Sequence, residues 1–459
     1  MRSCEGTRQR RACAGSDRAL AAPRRIVHAW LVVLCGLVAS AGLAIAQPLD
    51  GRPDEDAPIF SRSARIHPAP ARSGMVVAQE ERAARIGRDV LRRGGNAVDA
   101  AVATAFALAV TLPRAGNIGG GGFMLVHLAD SNRVIAIDYR ETAPAATTDD
   151  VFLDADGRFV RQKSQSSGLG VGVPGTVAGL ALAHERFGSG KLSLADLILP
   201  AIALAREGVR VDHELEESLR WAARRMERYP SSRAIFMRPD GGPLQVGDRL
   251  TQADLARTLE RIAERGASGF YEGETAASIV AAVNRAGGRM TRADMAAYRA
   301  VERTPVRGRY RGREVVSMPP PSSGGVHIVQ MLNILEAYRL ADMGHNSAAA
   351  IHVMAEAMRR AYADRAEHLG DPDFVSIPVR GLTSKAYADA LRRTISLDRA
   401  TPSDEIAPGA PTPFESEETT HFSVVDAAGN AVANTYTLNF SHGLGKVASG
   451  TGVLLNNEL

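Results

Sequence analysis

Cysteine is nearly missing from this chain. The three cysteines in 459 residues are Cys4, Cys13 and Cys35, all inside an N-terminal leader, so a domain exported without that leader has no disulfides and no thiolate ligands. Metal patterns are lacking too. The eleven histidines are scattered without an H-E-x-x-H or a paired i, i+4 spacing; His352 and His421 read as ordinary packing or surface histidines, and no metal or cofactor is expected. Beyond the leader no apolar run is long enough to span a bilayer. A large charge excess is also missing. The formal +4 of the chain becomes −1 once the leader's seven arginines, Glu5 and Asp17 are set aside, which removes the compositional support for a nucleic-acid partner.

The leader, residues 1–46, has an arginine-rich opening, the apolar run "AWLVVLCGLVASAGLAIA" and a small-residue end at Ala44-Ile45-Ala46 before Gln47. That is the layout of a secretory signal peptide, with an uncleaved membrane anchor as the alternative, and it predicts a periplasmic or secreted product. Residues 47–73, rich in Pro, Arg and Asp without an apolar period, read as a flexible linker. The remainder is long enough for one large or two mid-sized globular domains.

Order is expected from Gly74. A helical period from Arg82 to Leu112 is broken by Gly94-Gly95-Asn96, and its second half, "AVDAAVATAFALAVTL", is apolar nearly all round and should be buried. The four glycines of "AGNIGGGGFMLVHL" serve either an anion or close packing of strands. A formal G-x-G-x-x-G at Gly170, Gly172 and Gly175 follows the polar "RQKSQSS" and contains Pro174, so it fails as a dinucleotide site. Residues 176–300 read as a helical layer, with later helices from Val326 to Tyr338 and from Ser347 to Leu369. Ile406–Glu418 reads as exposed loop.

Near the end stands "EETTHFSVVDAAGNAVANTYTLN", Glu417 to Asn439. Two period-two runs flank a turn with Gly429 free to take the left-handed position, so a β-hairpin is predicted. If Asp426 faces Asn430, Thr419 stands opposite Thr437, with Asn439 next but one on the same face; a one-residue slip would send the second hydroxyl to the other face. On pattern alone a solvent-facing threonine ladder satisfies this equally well.

Segments such as "GGNAVDAAVATAFALAVT", "IDYRETAPA", "GVPGTVAGL", "SMPPPSSGGVHIVQMLNILE", "YADRAEHLGDPDF", "TTHFSVVDAAGNAVANTYTLN" and "GVLLNNE" closely resemble the γ-glutamyltranspeptidases, or glutathione hydrolases, in the family's order across residues 74–459. The resemblance implies an α/β N-terminal-nucleophile hydrolase, an αββα four-layer sandwich, made as a precursor that cuts itself before a threonine. It implies a large subunit at 74–418 and a small subunit starting at 419, the cut falling between Glu418 and Thr419. Thr419 would be the nucleophile and Thr437 its orienting partner, while Arg140, Asn439 and Glu458 would hold the α-carboxylate and α-amino ends of a γ-glutamyl donor such as glutathione. Water or an amino acid or dipeptide acceptor would resolve the acyl-enzyme. A related acylase of β-lactam side chains or poly-γ-glutamate would keep the nucleophile and change the substrate.

The family continues past "LLNNE" with an acidic residue, a Ser-Ser pair and a Gly-Gly oxyanion element, whereas this chain stops at Leu459. The expectation is a sandwich incomplete at its C-terminus, from a fragment of a longer gene, with a catalytically dead remnant as the alternative.

Overall fold

The computed structural model describes residues 70–406 and 419–459, with Thr419 described in its backbone alone. The leader, most of the linker and Glu418 lie outside the described residues. The elements that position the site are, in chain order, β1 (Gly74–Val77), α1 (Glu81–Arg92), α2 (Ala97–Thr111), β2 (Gly121–Leu128), β3 (Arg133–Tyr139), α3 (Arg161–Gln165), α4 (Thr176–Phe187) and α5 (Leu194–Glu207). They continue with α6 (His213–Met226), β4 (Val301–Arg303), α7 (Gly324–Leu335), α8 (Ala348–His368), β5 (Thr419–Asp426) and β6 (Ala431–Thr437).

Six strands form one antiparallel sheet in the order β1-β5-β6-β2-β3-β4. The other pairings among the described residues are two-stranded. One face of the sheet carries the helical layer. All fifteen residues of α2 are buried, as its all-round apolar sequence predicts, and it packs on β5, β6, α1, α4 and α5. Its start is fixed by a capping box in which Asn96 accepts from the Asp99 amide and Asp99 accepts from the Asn96 amide. Gly94, at φ +90°, supplies the left-handed residue that separates the two helices.

The β5–β6 hairpin has the expected register: Thr419 pairs with Thr437, His421 with Thr435 and Ser423 with Ala433. Its turn follows from Asp426. One carboxylate oxygen accepts from the Ala428 and Asn430 amides, and the other accepts from the Asn430 side chain and from the Ala97 amide at the start of α2. One buried anion thus closes the turn and caps the helix beneath it. Phe422, Val424, Val432 and Tyr436 point into the core, and the Tyr436 hydroxyl donates to the Ala105 carbonyl of α2 at 2.8 Å. Helices fall at Gly324–Leu335 and Ala348–His368, close to their expected limits. Ile406, the described residue of the loop expected from 406 to 418, is buried.

The glycine run resolves in favour of packing. A Cβ at Gly119 would sit 2.0 Å from the Leu454 carbonyl oxygen, at Gly120 2.0 Å from that of Thr437, and at Gly122 2.3 Å from that of Thr435. Here backbone passes against backbone, leaving no room for a side chain. Gly120→Ala should therefore destabilise by roughly 3 kcal/mol or more, whereas Gly381→Ala, with nothing within 4 Å of the methyl it would gain, should stay within about 0.5 kcal/mol. Equal denaturant midpoints for the two variants would refute the close-approach argument.

Candidate active site

The end of β6 is held by Asn117, a buried residue of the loop between α2 and β2. Its amide nitrogen donates to the Thr437 and Ala115 carbonyls at 2.9 Å, while its oxygen accepts from the Gly120 amide at 2.9 Å and the Thr176 hydroxyl at 2.8 Å. Thr437 is itself buried, and its hydroxyl oxygen accepts from the Asn439 amide at 2.9 Å. Asn439 sits at φ +76°, a conformation asparagine tolerates better than most residues. Its side chain donates to the Asn457 carbonyl at 2.6 Å.

Arg140 follows β3. Its amide donates to Asp138, and its carbonyl accepts from the Tyr298 hydroxyl at 2.7 Å, while Asp138 is ion-paired to Arg303, which in turn grips Asp373. The backbone under Arg140 is thereby fixed from three elements. Its guanidinium lies 2.8 Å from Glu458, 3.8 Å from Glu141, and over the Phe123 ring at 6.0 Å. Glu458 is brought there by Asn456, whose side chain donates to the Gly119 and Gly172 carbonyls and accepts from the Gly172 and Glu458 amides.

Thr437, Asn439, Arg140 and Glu458, four residues separated by as much as 318 positions, line one cavity of about 930 Å³. Thr419 is placed by register alone, at the head of β5 opposite Thr437. His421 bridges Thr435 and Ser423 on the open face, and burial lowers its pKa. His352 bonds the Ser396 carbonyl. Both are packing or surface histidines as expected. Among the described residues no group of three His, Cys, Asp or Glu converges to hold a metal, and no helix is long and apolar enough to cross a membrane.

Three residues of the site were not singled out from the sequence: Asn117, Asn456 and Glu141. Asn117 and Asn456 flank glycine or apolar runs, where an asparagine reads as ordinary turn chemistry. Glu141 is a carboxyl whose side chain is 1% exposed. Gly121 and Gly172 pack directly against it, and the Glu141 and Gly121 amides lie close without meeting hydrogen-bond geometry. Burial first, then the charge of Glu458, raises its pKa well above the ordinary 4.5, against the pull of Arg140. His442, in the loop after Asn439, is pushed down to about 3 by burial and by Arg225 and Arg114, so it is neutral.

A threonine at the head of an antiparallel strand, a second threonine paired with it, and a cavity lined by an arginine–carboxylate pair fit the N-terminal-nucleophile hydrolase class. The sequence model of gamma-glutamyltranspeptidase matches residues 83–459. The glutathione hydrolase proenzyme of Escherichia coli K12 is 51% identical over 395 residues, covering 86% of this chain and 67% of that protein. The crystal structure of Helicobacter pylori gamma-glutamyltranspeptidase superposes with a TM-score of 0.72 at 44% identity, covering 76% of this chain and 99% of that one. An acylase ACY 1 proenzyme of Pseudomonas sp. V22 is 41% identical over 398 residues, 85% of this chain and 70% of its own length. This chain belongs to the gamma-glutamyltranspeptidase family.

The raised pKa of Glu141 has a sign. The folded protein keeps the proton longer than the unfolded chain, so the stability it contributes is full below pH about 4.5 and is lost as pH rises from there through the folded value. Glu141→Gln should flatten that decline. Thermal unfolding from pH 4 to 8 checks it: a wild-type slope unchanged in the variant would show that Glu141 is not the titrating group.

Proposed function

We propose that this chain is the precursor of a γ-glutamyltransferase and glutathione hydrolase, cut between Glu418 and Thr419, with Thr419 as nucleophile. The observation that carries the reading is the register that pairs residue 419 with Thr437, which lines the cavity. The names of its relatives, proenzymes of glutathione hydrolase, support maturation into a large piece, 74–418, and a small piece starting at 419.

Within an intact chain the nitrogen of residue 419 is an amide and cannot take a proton. In self-cleavage, the Thr419 oxygen attacks the Glu418 carbonyl carbon, the C–N bond breaks, and hydrolysis of the resulting ester frees an α-amine. Such an amine has a pKa of about 7.7–8.0 and is a competent base near neutrality. It then removes the proton of its own hydroxyl. The oxygen attacks the γ-amide carbon of the donor, the C–N bond breaks as the leaving amine accepts that proton, and a γ-glutamyl ester forms. Water, or the amine of an amino acid or dipeptide, displaces the threonine oxygen. Thr437, whose hydroxyl oxygen accepts from the Asn439 amide, polarises and orients the nucleophile. Arg140 pairs with the donor α-carboxylate, a task suited to its planar fork; Asn439 holds the same end and Glu458 the ammonium. Export follows the leader at 1–46, with 47–73 as tether, to the periplasm or beyond.

The similarity to an acylase proenzyme favours a second reading in which the donor is an acylated β-lactam. Arg140 favours a donor with a free α-carboxylate, and comparing such donors with β-lactams whose acyl group lacks a carboxylate separates the two.

Two outcomes are expected. The wild-type protein should run as two pieces and release chromophore from a γ-glutamyl anilide, with a rate rising as pH passes about 7.7–8.0. Thr419→Ala should remain one piece and release none. An uncut chain that still consumes glutathione, or undiminished activity with alanine at 419, would overturn the reading. In the mature enzyme Thr437→Ala should slow turnover by about a hundredfold while Thr437→Ser keeps most of it.

A further inference from the structure

The four donor-binding residues occupy only part of the cavity. Its volume, about 930 Å³, is at the upper end of what small-molecule sites use. Glutathione carries two carboxylates, that of the γ-glutamyl group and that of its C-terminal glycine. Arg140 sits at the β3 end, tied to Glu458, and serves the first.

The same cavity is lined by two more guanidinium groups, those of Arg161 and Arg365. Arg161 opens α3, and the backbone carbonyl of Gln165 at the far end of that helix accepts from the Asn457 side chain at 3.2 Å. That contact sets the end of α3 against Asn457, and Arg161, Gln165, Asn457 and Glu458 all line the cavity. Arg161 makes no ion pair among the described residues. Arg365 stands in the last turn of α8. The loop that follows is pinned through Asp373 and Arg303 to Asp138, two residues before Arg140, so its distance from the donor end is set by the fold. Beside them Phe152 and Phe159 form an edge-to-face pair at 6.5 Å, and Phe159 is 61% exposed.

We propose that Arg161 and Arg365 form a second carboxylate site that takes the C-terminal carboxylate of the peptide half of the donor, and likewise that of a dipeptide acceptor, with the Phe152–Phe159 pair covering the apolar part of that peptide. This rests on the γ-glutamyl reading of the cavity and extends it to the leaving and accepting side. It predicts a preference for donors and acceptors that end in a free carboxylate.

The test compares glutathione with a γ-glutamyl anilide, which lacks the second carboxylate. Arg161→Gln and Arg365→Gln should each raise KM for glutathione at least about tenfold with little change in kcat. Anilide kinetics should stay unchanged, and the lysine variants should recover part of the loss. A KM for glutathione that does not move, or an equal loss on both substrates, overturns the site. If the wild-type protein cleaves neither substrate, the catalytic reading fails, and calorimetry decides the site separately. Tighter binding of glutathione than of its C-terminal amide, abolished by Arg161→Gln, upholds it, and equal binding of acid and amide overturns it.

Discussion

The register of one hairpin governs what this protein can do. Sheet side chains alternate with a period of two, so the residue facing Thr437 is settled wherever the β5–β6 turn is settled. Asp426 settles it, committing its two oxygens to the turn amides, to Asn430 and to the first amide of α2. Moving the turn by one residue would break those bonds, bury Ser423 and expose Phe422 to solvent. Helix start, turn and the pairing of residue 419 with Thr437 are thus one cooperative choice, which is why a carboxylate on the far side of the hairpin decides what stands at its mouth.

The opposite end of the hairpin is made rigid by a different device. Around Thr437 the chain packs backbone on backbone, with glycines at 119, 120 and 122 leaving no gap and two buried amides, Asn117 and Asn456, satisfying the peptide groups that such packing strands. A buried polar group with all its partners made is specific, because any other arrangement leaves one unpaired. The strand end cannot breathe without losing several hydrogen bonds together.

Much of this was legible in the sequence. The period-two runs around Gly429 gave the hairpin and its register, the all-apolar run gave the buried α2, and the motif residues Arg140, Thr437, Asn439 and Glu458 do share a cavity. Asn117, Asn456 and Glu141 were not legible. An asparagine beside a glycine run reads as turn chemistry until a carbonyl from a strand 320 residues away arrives to need it, and a glutamate after an arginine reads as a solvated ion pair until Gly121 and Gly172 close over it. Local pattern reports periodicity and turn type; it carries no record of which distant backbone will demand a partner.

Glu141 also explains how Arg140 keeps charge to offer. The guanidinium has two carboxyls within 4 Å, Glu458 and Glu141. Were both ionised, they would outweigh it, and an incoming α-carboxylate would meet net negative charge; at 4 Å and an effective dielectric near 20 each such interaction is worth about 4 kcal/mol. Burial pushes the Glu141 carboxyl toward its neutral form, which weakens its competition with Glu458 for the guanidinium. On the proposed reading of the site, the Arg140–Glu458 pair is the complement of an amino acid's own zwitterion, with the arginine for the carboxylate and Glu458 for the ammonium. An acid held toward its neutral form beneath the arginine supplies volume with less charge, and Glu458, at 2.8 Å against 3.8 Å for Glu141, is then the dominant partner of the guanidinium.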